Sequence, residues 1–361
     1  MGRSKSKKNG EKRYFLASFL SRSIGYLERK FFSALSLSIS NTTSIFFGEL
    51  RFSGSHKVLG TYAEAEVFSH DHLQTRRAEF HLFKERHRIV LRDTFLDSKS
   101  GILFDSEKSL ITESSSWPVE SLLLNAFPKP LPPYRSLQNE TGFIHLPTTG
   151  FYHWLVEDLP PFLNLYHENP NSPLLAFYQL PRYVESILNL FDREIIYVPQ
   201  FVKTNKLLTV SRNNDVGWPL KEDIEHVKGF FRDFISENIA TEKIYISRIG
   251  ARRSPVFEKE LIQILLAQGW KVLDSNLVSF PEQISMISKA NIICGVGGAG
   301  LSGQIWMHAG SKVIELAPRR YIAANSRLAS RLSHEYICIN YEEGPFDVRE
   351  IANSIERLSN I

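Results

Sequence analysis

Residues 292–300, IICGVGGAG, carry an apolar run directly into a glycine cluster, and a second apolar run from Lys312 to Leu316 follows with Glu315 near its end. We interpret this order as strand, glycine loop, helix, strand and acid, an arrangement with which α/β proteins hold a nucleotide. Glycines let backbone N–H groups approach an anion, the helix start offers its positive end, and a carboxylate can accept hydrogen bonds from ribose hydroxyls. The stretch therefore predicts a nucleotide-binding unit.

Gly295, Gly297 and Gly300 also match the pattern G-x-G-x-x-G, which is typical of dinucleotide sites. The pattern by itself leaves two alternatives open, namely an NAD(P)-dependent oxidoreductase and a tight turn that serves only helix–strand packing. Glu315 lies closer to the glycines than the roughly 20 residues usual for a ribose-binding acid. A decision between these alternatives needs other residues.

Apolar runs alternate with amphipathic segments over most of the chain, which predicts parallel, doubly wound sheets. In the second half the predicted strands are Ile244–Ser247, Trp270–Leu273, Asn291–Cys294, Lys312–Leu316 and Tyr336–Ile339, and the predicted helices are Phe257–Gln268, Glu282–Lys289, Gly300–His308 and one after Asp347. In the first half the predicted strands are Phe143–Leu146, Leu174–Tyr178, Ile195–Val198 and Lys206–Val210, and the predicted helices are Tyr152–His167, Arg182–Phe191 and Lys221–Asn238.

The length of 361 residues suggests about two domains. Residues 58–125 carry short β-like runs between polar turn residues, which predicts a β-rich N-terminal subdomain. Residues 127–133, FPKPLPP, cannot continue a helix or a central strand and mark an internal boundary. We predict a segment 1–45, an N-terminal acceptor-side domain 46–225 (β-rich over 58–125, α/β over 140–210), and a C-terminal nucleotide-binding domain 226–361.

The net charge of +4 comes from the start of the chain, because the first thirty residues hold nine Lys and Arg against two acids and the rest holds 34 against 37. Basic residues there are interleaved with bulky apolar ones, a pattern that suits an anionic membrane surface, yet no window is long and uncharged enough to span a bilayer. We expect residues 1–40 to lie on a membrane surface; the alternative is a disordered basic tail. No nucleic-acid partner is expected.

Cysteine usage favours a reducing compartment, because Cys294 and Cys338 both lie in apolar runs and offer no disulfide framework or metal site. Asn41 and Asn139 begin glycosylation sequons, which would matter only in a secretory lumen. We therefore expect a cytoplasmic protein, peripheral on the inner face of the cell membrane.

A basic cluster follows the predicted strand at residues 244–246. Three guanidinium groups and a hydroxyl come directly after that strand, at the edge where open α/β sheets bind ligands. They belong to Ser247, Arg248, Arg252 and Arg253. Guanidinium groups form paired bonds to phosphate oxygens and can neutralise a diphosphate without a metal. A solvated basic loop is the alternative.

The segment 149–161, TGFYHWLVEDLPP, brings acid–base groups together if it is helical. His153 and Glu157 would then lie one turn apart on one face, with Asp158 beside them. A carboxylate or imidazole in a cleft can take a proton from a hydroxyl. Helix capping, an ion pair or a histidine between domains would explain the same residues, so the segment alone decides nothing.

Taken together, these motifs resemble glycosyltransferase family 61, known among capsular-polysaccharide biosynthesis proteins and eukaryotic xylosyl- and N-acetylglucosaminyl-transferases. The resemblance covers roughly residues 85–320. It rests on residues 152–160 (YHWLVEDLP), on 245–248 (YISR) with 251–253 (ARR), and on 298–301 (GAGL) leading to 313–316 (VIEL). One departure is clear, since similar proteins usually carry histidine where this chain has Gly297.

The resemblance implies a GT-B-like architecture, in which two Rossmann-like domains face a cleft, and an inverting transferase that moves a hexosyl or pentosyl group. The expected donor is a nucleotide sugar, UDP-linked, and the expected acceptor is a glycan or lipid-linked glycan in surface or capsular polysaccharide biosynthesis. No cofactor is expected, and because Asp-x-Asp is missing we expect no metal. A non-catalytic binding protein of the same fold remains an alternative.

The implied mechanism is direct displacement. A carboxylate of the Glu157 and Asp158 pair, helped by His153, would deprotonate the acceptor hydroxyl. The donor diphosphate would be held by residues of the basic cluster and of the glycine loop, namely Ser247, Arg248, Arg252, Arg253, Gly297, Gly298, Ala299, Gly300, Leu301 and Ser302, and Glu315 would hold the ribose.

Overall fold

The computed structural model describes residues 56–60, 65–72, 75–82, 86–106, 110–111, 133–211, 217–238, 240–251, 254–318, 324–341 and 347–360. All of these lie in one compact unit, Arg51–Ile361. The basic segment 1–45, most of the connector 127–133, and Arg252 with Arg253 lie outside the described residues. In the described ranges, no helix combines the length and apolarity needed to cross a membrane.

Strands of the first half form a mixed sheet. They are β1 (His56–Gly60), β4 (Arg86–Asp97), β5 (Ile102–Phe104), β6 (Leu110–Ile111), β7 (Arg135–Leu137), β8 (Phe143–His145), β9 (Leu174–Phe177), β10 (Ile195–Val198) and β11 (Phe201–Val210), while β2 (Ala65–His72) and β3 (Thr75–Leu82) pair as a separate hairpin. The main order is β10-β9-β8-β11-β4-β5-β6, with β1 paired to β4 and β7 paired to β11.

This first sheet departs from the predicted all-parallel one. Strands β10, β9, β8 and β11 are parallel, but β4 pairs antiparallel with β11, and β5 and β6 continue antiparallel. The reason is local, because a short turn over residues 98–101 joins β4 to β5 and such a turn can connect only antiparallel strands. Apart from the β2–β3 hairpin, the strands of the β-rich part therefore extend the same sheet.

The helices of the first half are short. They are α1 (Phe151–His153), α2 (Leu159–Glu168), α3 (Arg182–Glu185) and α4 (Lys221–Phe230), and a π-helical turn, Trp154–Asp158, joins α1 to α2. The predicted helix over Tyr152–His167 is thus confirmed as a helical segment. Pro160 and Pro161 lack the N–H groups that an uninterrupted α-helix would need, so the segment changes its hydrogen bonding just before them.

The second half forms the predicted parallel sheet. Its strands are β12 (Glu242–Ile246), β13 (Lys271–Leu273), β14 (Ala290–Val296), β15 (Lys312–Pro318) and β16 (Glu335–Tyr341), in the order β13-β12-β14-β15-β16. Its helices are α5 (Glu258–Ala267), α6 (Phe280–Ile287), α7 (Ala324–Arg331) and α8 (Val348–Ser359). Helix α6 begins where Ser279 and Glu282 form a capping box.

The order of this sheet reverses between β12 and β14, because β13 lies on one side of β12 and β15 on the far side of β14. A crevice opens at such a switch point, beyond the carboxyl ends of the strands. The fold therefore places its ligand crevice where Ser247 and Gly297 follow β12 and β14.

Both faces of the second sheet are covered, which explains why its strands are continuously apolar. Along β12, Ile244 and Ile246 belong to one buried cluster and Tyr245 to another. The first of these clusters also contains Ile144, Trp154 and other residues of the first half. The two sheets therefore share a core, and the predicted boundary between 46–225 and 226–361 stays a prediction.

Candidate functional site

The crevice at the switch point brings two predicted motifs together. Arg248 follows β12 and Gly297 follows β14, and the guanidinium Nη1 of Arg248 donates a hydrogen bond to the carbonyl oxygen of Gly297. Gly298 leaves room for this contact, because a Cβ added there would lie 2.9 Å from Cζ of Arg248. The basic cluster and the glycine loop therefore form one site.

A cavity of about 730 Å³ opens at this site. From the predicted donor-binding set, it is lined by Ser247, Arg248, Ala299 and Gly300. The first half contributes Phe151, Arg182, Tyr183, Glu185 and Ser186. The rest of the wall comes from the end of β12 and the loop after it, β13, the loop before α6, α6 itself and the chain after Gly300. The size is in the range of small-molecule sites.

Strong contacts join the two halves at this cavity. Arg182 donates to the carbonyl of Asn276, and the N–H of Phe280 donates to the hydroxyl of Ser186 over 3.3 Å. Phe151 and Phe280 meet edge to face with their centroids 5.6 Å apart. Residues of both halves of the chain therefore form the walls of the cavity.

The chain after the glycines is a 3-10 helix over Ala299–Trp306, whereas an α-helix over Gly300–His308 was predicted. Its glycine content explains the difference, because glycine disfavours a regular α-helix. The Gly297 N–H donates to the carbonyl of Leu316 over 2.8 Å, and the Leu301 N–H to that of Gly298 over 3.3 Å. Ala299 and Gly300 precede the first intrahelical bond and line the cavity, so their N–H groups are the ones placed for an anion.

Leu301 and Ser302, which were predicted to bind the donor, lie beneath the glycine loop, and their predicted role stays a prediction. Both are buried, and the Ser302 hydroxyl donates to the carbonyl of Ala299 over 2.6 Å. These two residues stabilise the loop from within, and neither lines the cavity.

Glu315 lies beneath the glycine loop. It is 4% exposed, and Oε2 accepts hydrogen bonds from the Tyr336 hydroxyl over 2.8 Å and from Asn325 Nδ2 over 3.2 Å. Burial raises the pKa of Glu315 to about 7, although those two hydrogen bonds and the charge of Arg248 lower it. A ribose contact would require this network to open, so the placement favours a structural role.

The absence of a side chain at position 297 also follows from this placement. A Cβ added at Gly297 would lie 2.5 Å from Oε1 of Glu315. Because Glu315 points into the interior, a histidine at position 297 would clash with its carboxylate. This clash is a physical reason for glycine at position 297.

Sequence reasoning missed Glu258. This fully buried carboxylate at the start of α5 accepts from the Arg248 N–H over 2.6 Å and from the Tyr245 hydroxyl over 3.2 Å through Oε1, and from the Ser254 hydroxyl over 2.7 Å through Oε2. It ties together both ends of the arginine loop. Its place in an amphipathic helix gave no sequence signal, because an acid in a first helical turn is ordinary.

His153 and Glu157 lie on one helical face, as predicted. His153 Nδ1 is 2.9 Å from Glu157 Oε2, and Oε1 accepts the backbone N–H of Gly217 over 2.6 Å. Burial lowers the pKa of His153. The hydrogen bond and charge of Glu157, together with the charge of Asp158, raise this pKa by more than burial lowers it, so the net shift is upward. The imidazole of His153 therefore holds its proton to a higher pH than the imidazole of an ordinary histidine does.

Asp158 is buried on another side of the same turn. Its carboxylate accepts the Thr149 hydroxyl, and the carbonyl of Thr149 accepts the hydroxyl of Tyr183, which lines the cavity. Burial, followed by the charge of Asp158, raises the pKa of Tyr183. Asp158 is therefore linked to the cavity through two residues and does not line it.

The described part of the chain contains no cluster of metal-binding side chains. Across the ranges that the structure describes, no three His, Cys, Asp or Glu side chains are grouped as metal ligands. Metal independence stays a prediction.

Comparison with known proteins agrees with the motifs. Residues 151–314 match the model of the family described as Glycosyltransferase 61, which confirms the resemblance over this range and supports glycosyltransferase activity. Among solved structures, a CMP N-glycosidase of Clostridium botulinum is 17% identical, with 32% of this chain and 99% of that chain covered and a TM-score of 0.23, values that carry no argument. No curated protein matches.

Proposed function

We propose that this chain, which matches glycosyltransferase family 61 over residues 151–314, transfers a hexosyl or pentosyl group from a nucleotide-sugar donor to a hydroxyl of a glycan acceptor, with inversion at the anomeric carbon. The proposal includes a GT-B-like arrangement, in which the two sheets flank the cleft that holds the donor. A UDP-linked donor is proposed first, on the resemblance alone.

The observation that carries the proposal is the meeting of Arg248 with the glycine loop at the switch point. The guanidinium group and the N–H groups of Ala299 and Gly300 lie at one wall of the cavity. Such donors stabilise negative charge when they are fixed in advance. A departing nucleoside diphosphate is the charge that this wall suits, and the fixed cation there favours a reaction without a metal.

The cavity volume supports a ligand larger than a phosphate ion. About 730 Å³ is enough for a compact ligand with a sugar and a nucleoside. Phe151 and Phe280 give the cavity apolar surface, and Ser247 and Arg248 give it polar groups. This mixture fits a nucleotide sugar, whose base and sugar faces are apolar and whose diphosphate is charged.

In the proposed reaction the acceptor hydroxyl loses its proton to the cluster of His153, Glu157 and Asp158. The acceptor oxygen bonds to the anomeric carbon, and the bond from that carbon to the diphosphate oxygen breaks with its electron pair left on the diphosphate. The negative charge that develops there faces Arg248.

The cellular setting is proposed from the sequence and the resemblance. We propose a glycan or lipid-linked acceptor in surface or capsular polysaccharide biosynthesis, at the inner face of the cell membrane. The basic segment 1–40 that would contact an anionic surface lies outside the described residues.

Ligand binding tests the donor proposal. Thermal shift and calorimetry with UDP, UDP-N-acetylglucosamine, UDP-xylose, NAD⁺ and NADP⁺ should show binding of the uridine compounds only. Arg248→Ala should weaken UDP binding and lower turnover about 10²–10³-fold, as loss of one transition-state donor does. The control is Arg232→Ala, whose side chain is 82% exposed and pairs with its neighbour Asp233.

Binding of NAD(P) in place of the uridine compounds would support the oxidoreductase alternative. UDP binding without any release of UDP from either sugar nucleotide would support a non-catalytic binding protein. Equal effects of Arg248→Ala and Arg232→Ala on UDP binding and turnover would show that Arg248 does not bind the donor.

A further inference from the structure

The three acid–base groups of the helical segment differ in accessibility. Glu157 and Asp158 are buried, and the side chain of Glu157 is 1% exposed, whereas that of His153 is 26% exposed. A general base must come within hydrogen-bond reach of the proton that it takes. The partly exposed imidazole, which is not among the residues of the cavity wall, can meet that condition at the edge of the cavity, whereas the buried Glu157 carboxylate cannot.

Both oxygens of Glu157 already have partners. Oε2 lies 2.9 Å from His153 Nδ1, and Oε1 accepts the Gly217 N–H over 2.6 Å. With Glu157 as the acceptor in both hydrogen bonds, Nδ1 of His153 carries the hydrogen between them. The lone pair of the neutral imidazole is then on Nε2. Glu157 and the backbone of Gly217 thus fix both the ring and its tautomer.

The helix that carries His153 lies against the donor wall. Phe151, two residues earlier, lines the cavity, and α1 packs against Ala299–Trp306. Tyr152 donates to the carbonyl of Ala324 over 3.4 Å, and the adjoining Asn325 donates to the carbonyl of Gly298 over 3.3 Å. These contacts of Phe151 and Tyr152 hold the start of the helical segment that carries His153 beside the glycine loop.

Resting on the proposed function, we infer that His153 is the catalytic base and that Glu157 is a positioning residue, which orients the imidazole. Nε2 takes the proton of the acceptor hydroxyl, the oxygen forms its bond to the anomeric carbon, and the diphosphate departs with the electron pair of the broken bond. The imidazolium that results is stabilised by Glu157. The proton leaves the site with solvent after transfer.

The charges around His153 support this division of roles. Glu157 and Asp158 act on it from its own helical segment, and Arg327 of α7 acts, with Glu157, on the neighbouring Tyr152. Arg327 also donates to the carbonyl of Gly217 over 3.4 Å, so the backbone that holds Glu157 is itself held. Glu157 shifts the pKa of His153 upward, which makes the imidazole a stronger base.

A pH–rate profile separates His153 from Glu157 as the base. The probes are UDP-N-acetylglucosamine and UDP-xylose, with release of UDP measured as kcat/KM between pH 5 and 9. The rate should rise with pH through a pKa above the ordinary value for histidine. His153→Ala should lose about 10²–10⁴-fold and regain part of the rate with added imidazole.

Glu157→Gln should retain measurable activity and move the acidic limb to lower pH, because the carboxylate that raises the pKa of His153 is gone. The control is His167→Gln, an exposed histidine of α2, which should leave the profile unchanged. An inactive Glu157→Gln at every pH together with an active His153→Ala would overturn the inference.

An NMR titration of the histidine ring signals gives a readout that needs no turnover. The His153 pKa should lie above its ordinary value in the wild type and fall in Glu157→Gln. An unchanged pKa in that variant would also overturn the inference. If neither sugar nucleotide releases UDP, the proposed function fails for these donors while the titration still decides the role of Glu157.

Discussion

Arg248 and Gly297 are 49 positions apart in the chain, yet the guanidinium group of the first donates to the backbone carbonyl of the second. This bond connects the ends of β12 and β14 at the point where the strand order reverses. It fixes the side chain of Arg248 at the cavity that Ala299 and Gly300 also line. The proposed anion site therefore depends on a contact between two strand ends, and each end can be tested separately.

Gly298→Ala should displace Arg248, because the added Cβ would lie 2.9 Å from Cζ and nearer still to Nη1. The backbone at Gly298 is extended, so alanine causes no strain of its own. We expect UDP affinity to fall about 10- to 100-fold, as for the loss of one charge-assisted hydrogen bond. Isothermal titration calorimetry measures the change.

The matched control is Gly229→Ala in α4, where an added Cβ meets no atom within 4 Å. Alanine in a helix should stabilise the fold by up to about 1 kcal/mol and leave UDP binding unchanged. If Gly298→Ala binds UDP as tightly as Gly229→Ala does, Arg248 does not contact the ligand from the observed position.

Glu258→Ala should loosen the arginine loop, because the Arg248 N–H and the Tyr245 and Ser254 hydroxyls all lose their acceptor. Unpaired buried groups cost about 1–3 kcal/mol each, so the variant should be markedly less stable and bind UDP weakly. Glu258→Gln keeps an acceptor oxygen and should raise KM for the donor more than it lowers kcat.

Glu260→Gln on the exposed side of the same helix serves as the control for Glu258. Chemical denaturation gives stability, and donor kinetics give the split between KM and kcat. A Glu258→Gln enzyme with wild-type KM for the donor would show that Glu258 does not position Arg248.

Glu315 should make stability depend on pH in an unusual direction. Burial raises the pKa of this carboxyl from 4.5 to about 7 in the folded protein, so between those pH values the folded state binds more protons than the unfolded state. Its contribution to stability is then full below pH 4.5 and is lost as pH rises through 7. The loss is on the order of 3 kcal/mol.

We expect Glu315→Gln, which cannot ionise, to gain stability relative to the wild type between pH 5 and pH 8 by that order. Urea unfolding of both proteins at the two pH values isolates this group, because other titrations are common to both. A stability difference that does not change with pH would mean that folding does not raise the pKa of Glu315.

Donor turnover should survive a chelator, because Arg248 and the loop amides are proposed to stabilise the diphosphate directly. Release of UDP with EDTA should match that with added Mg²⁺ or Mn²⁺. Strict dependence on either ion would contradict the proposed mechanism.

Sequence periodicity was sufficient for the second sheet. Its apolar runs and intervening helical segments predicted five parallel strands with the Arg248 motif and the glycine loop at the carboxyl edge, and the sheet has that form. Strand β4 shows the limit, because its antiparallel pairing with β11 brings together residues about a hundred positions apart. No local pattern encodes such a partner.

The sequence by itself determined which residue types could do chemistry and on which elements they lie, since helix and strand periods are local properties. It also placed His153 and Glu157 on one face. Only the tertiary structure decided that Glu157 is buried against Gly217, that Glu315 points into the interior, and that Glu258 holds the arginine loop. Those outcomes depend on burial and on partners distant in sequence, because packing sets the environment of a charged group and the local sequence does not.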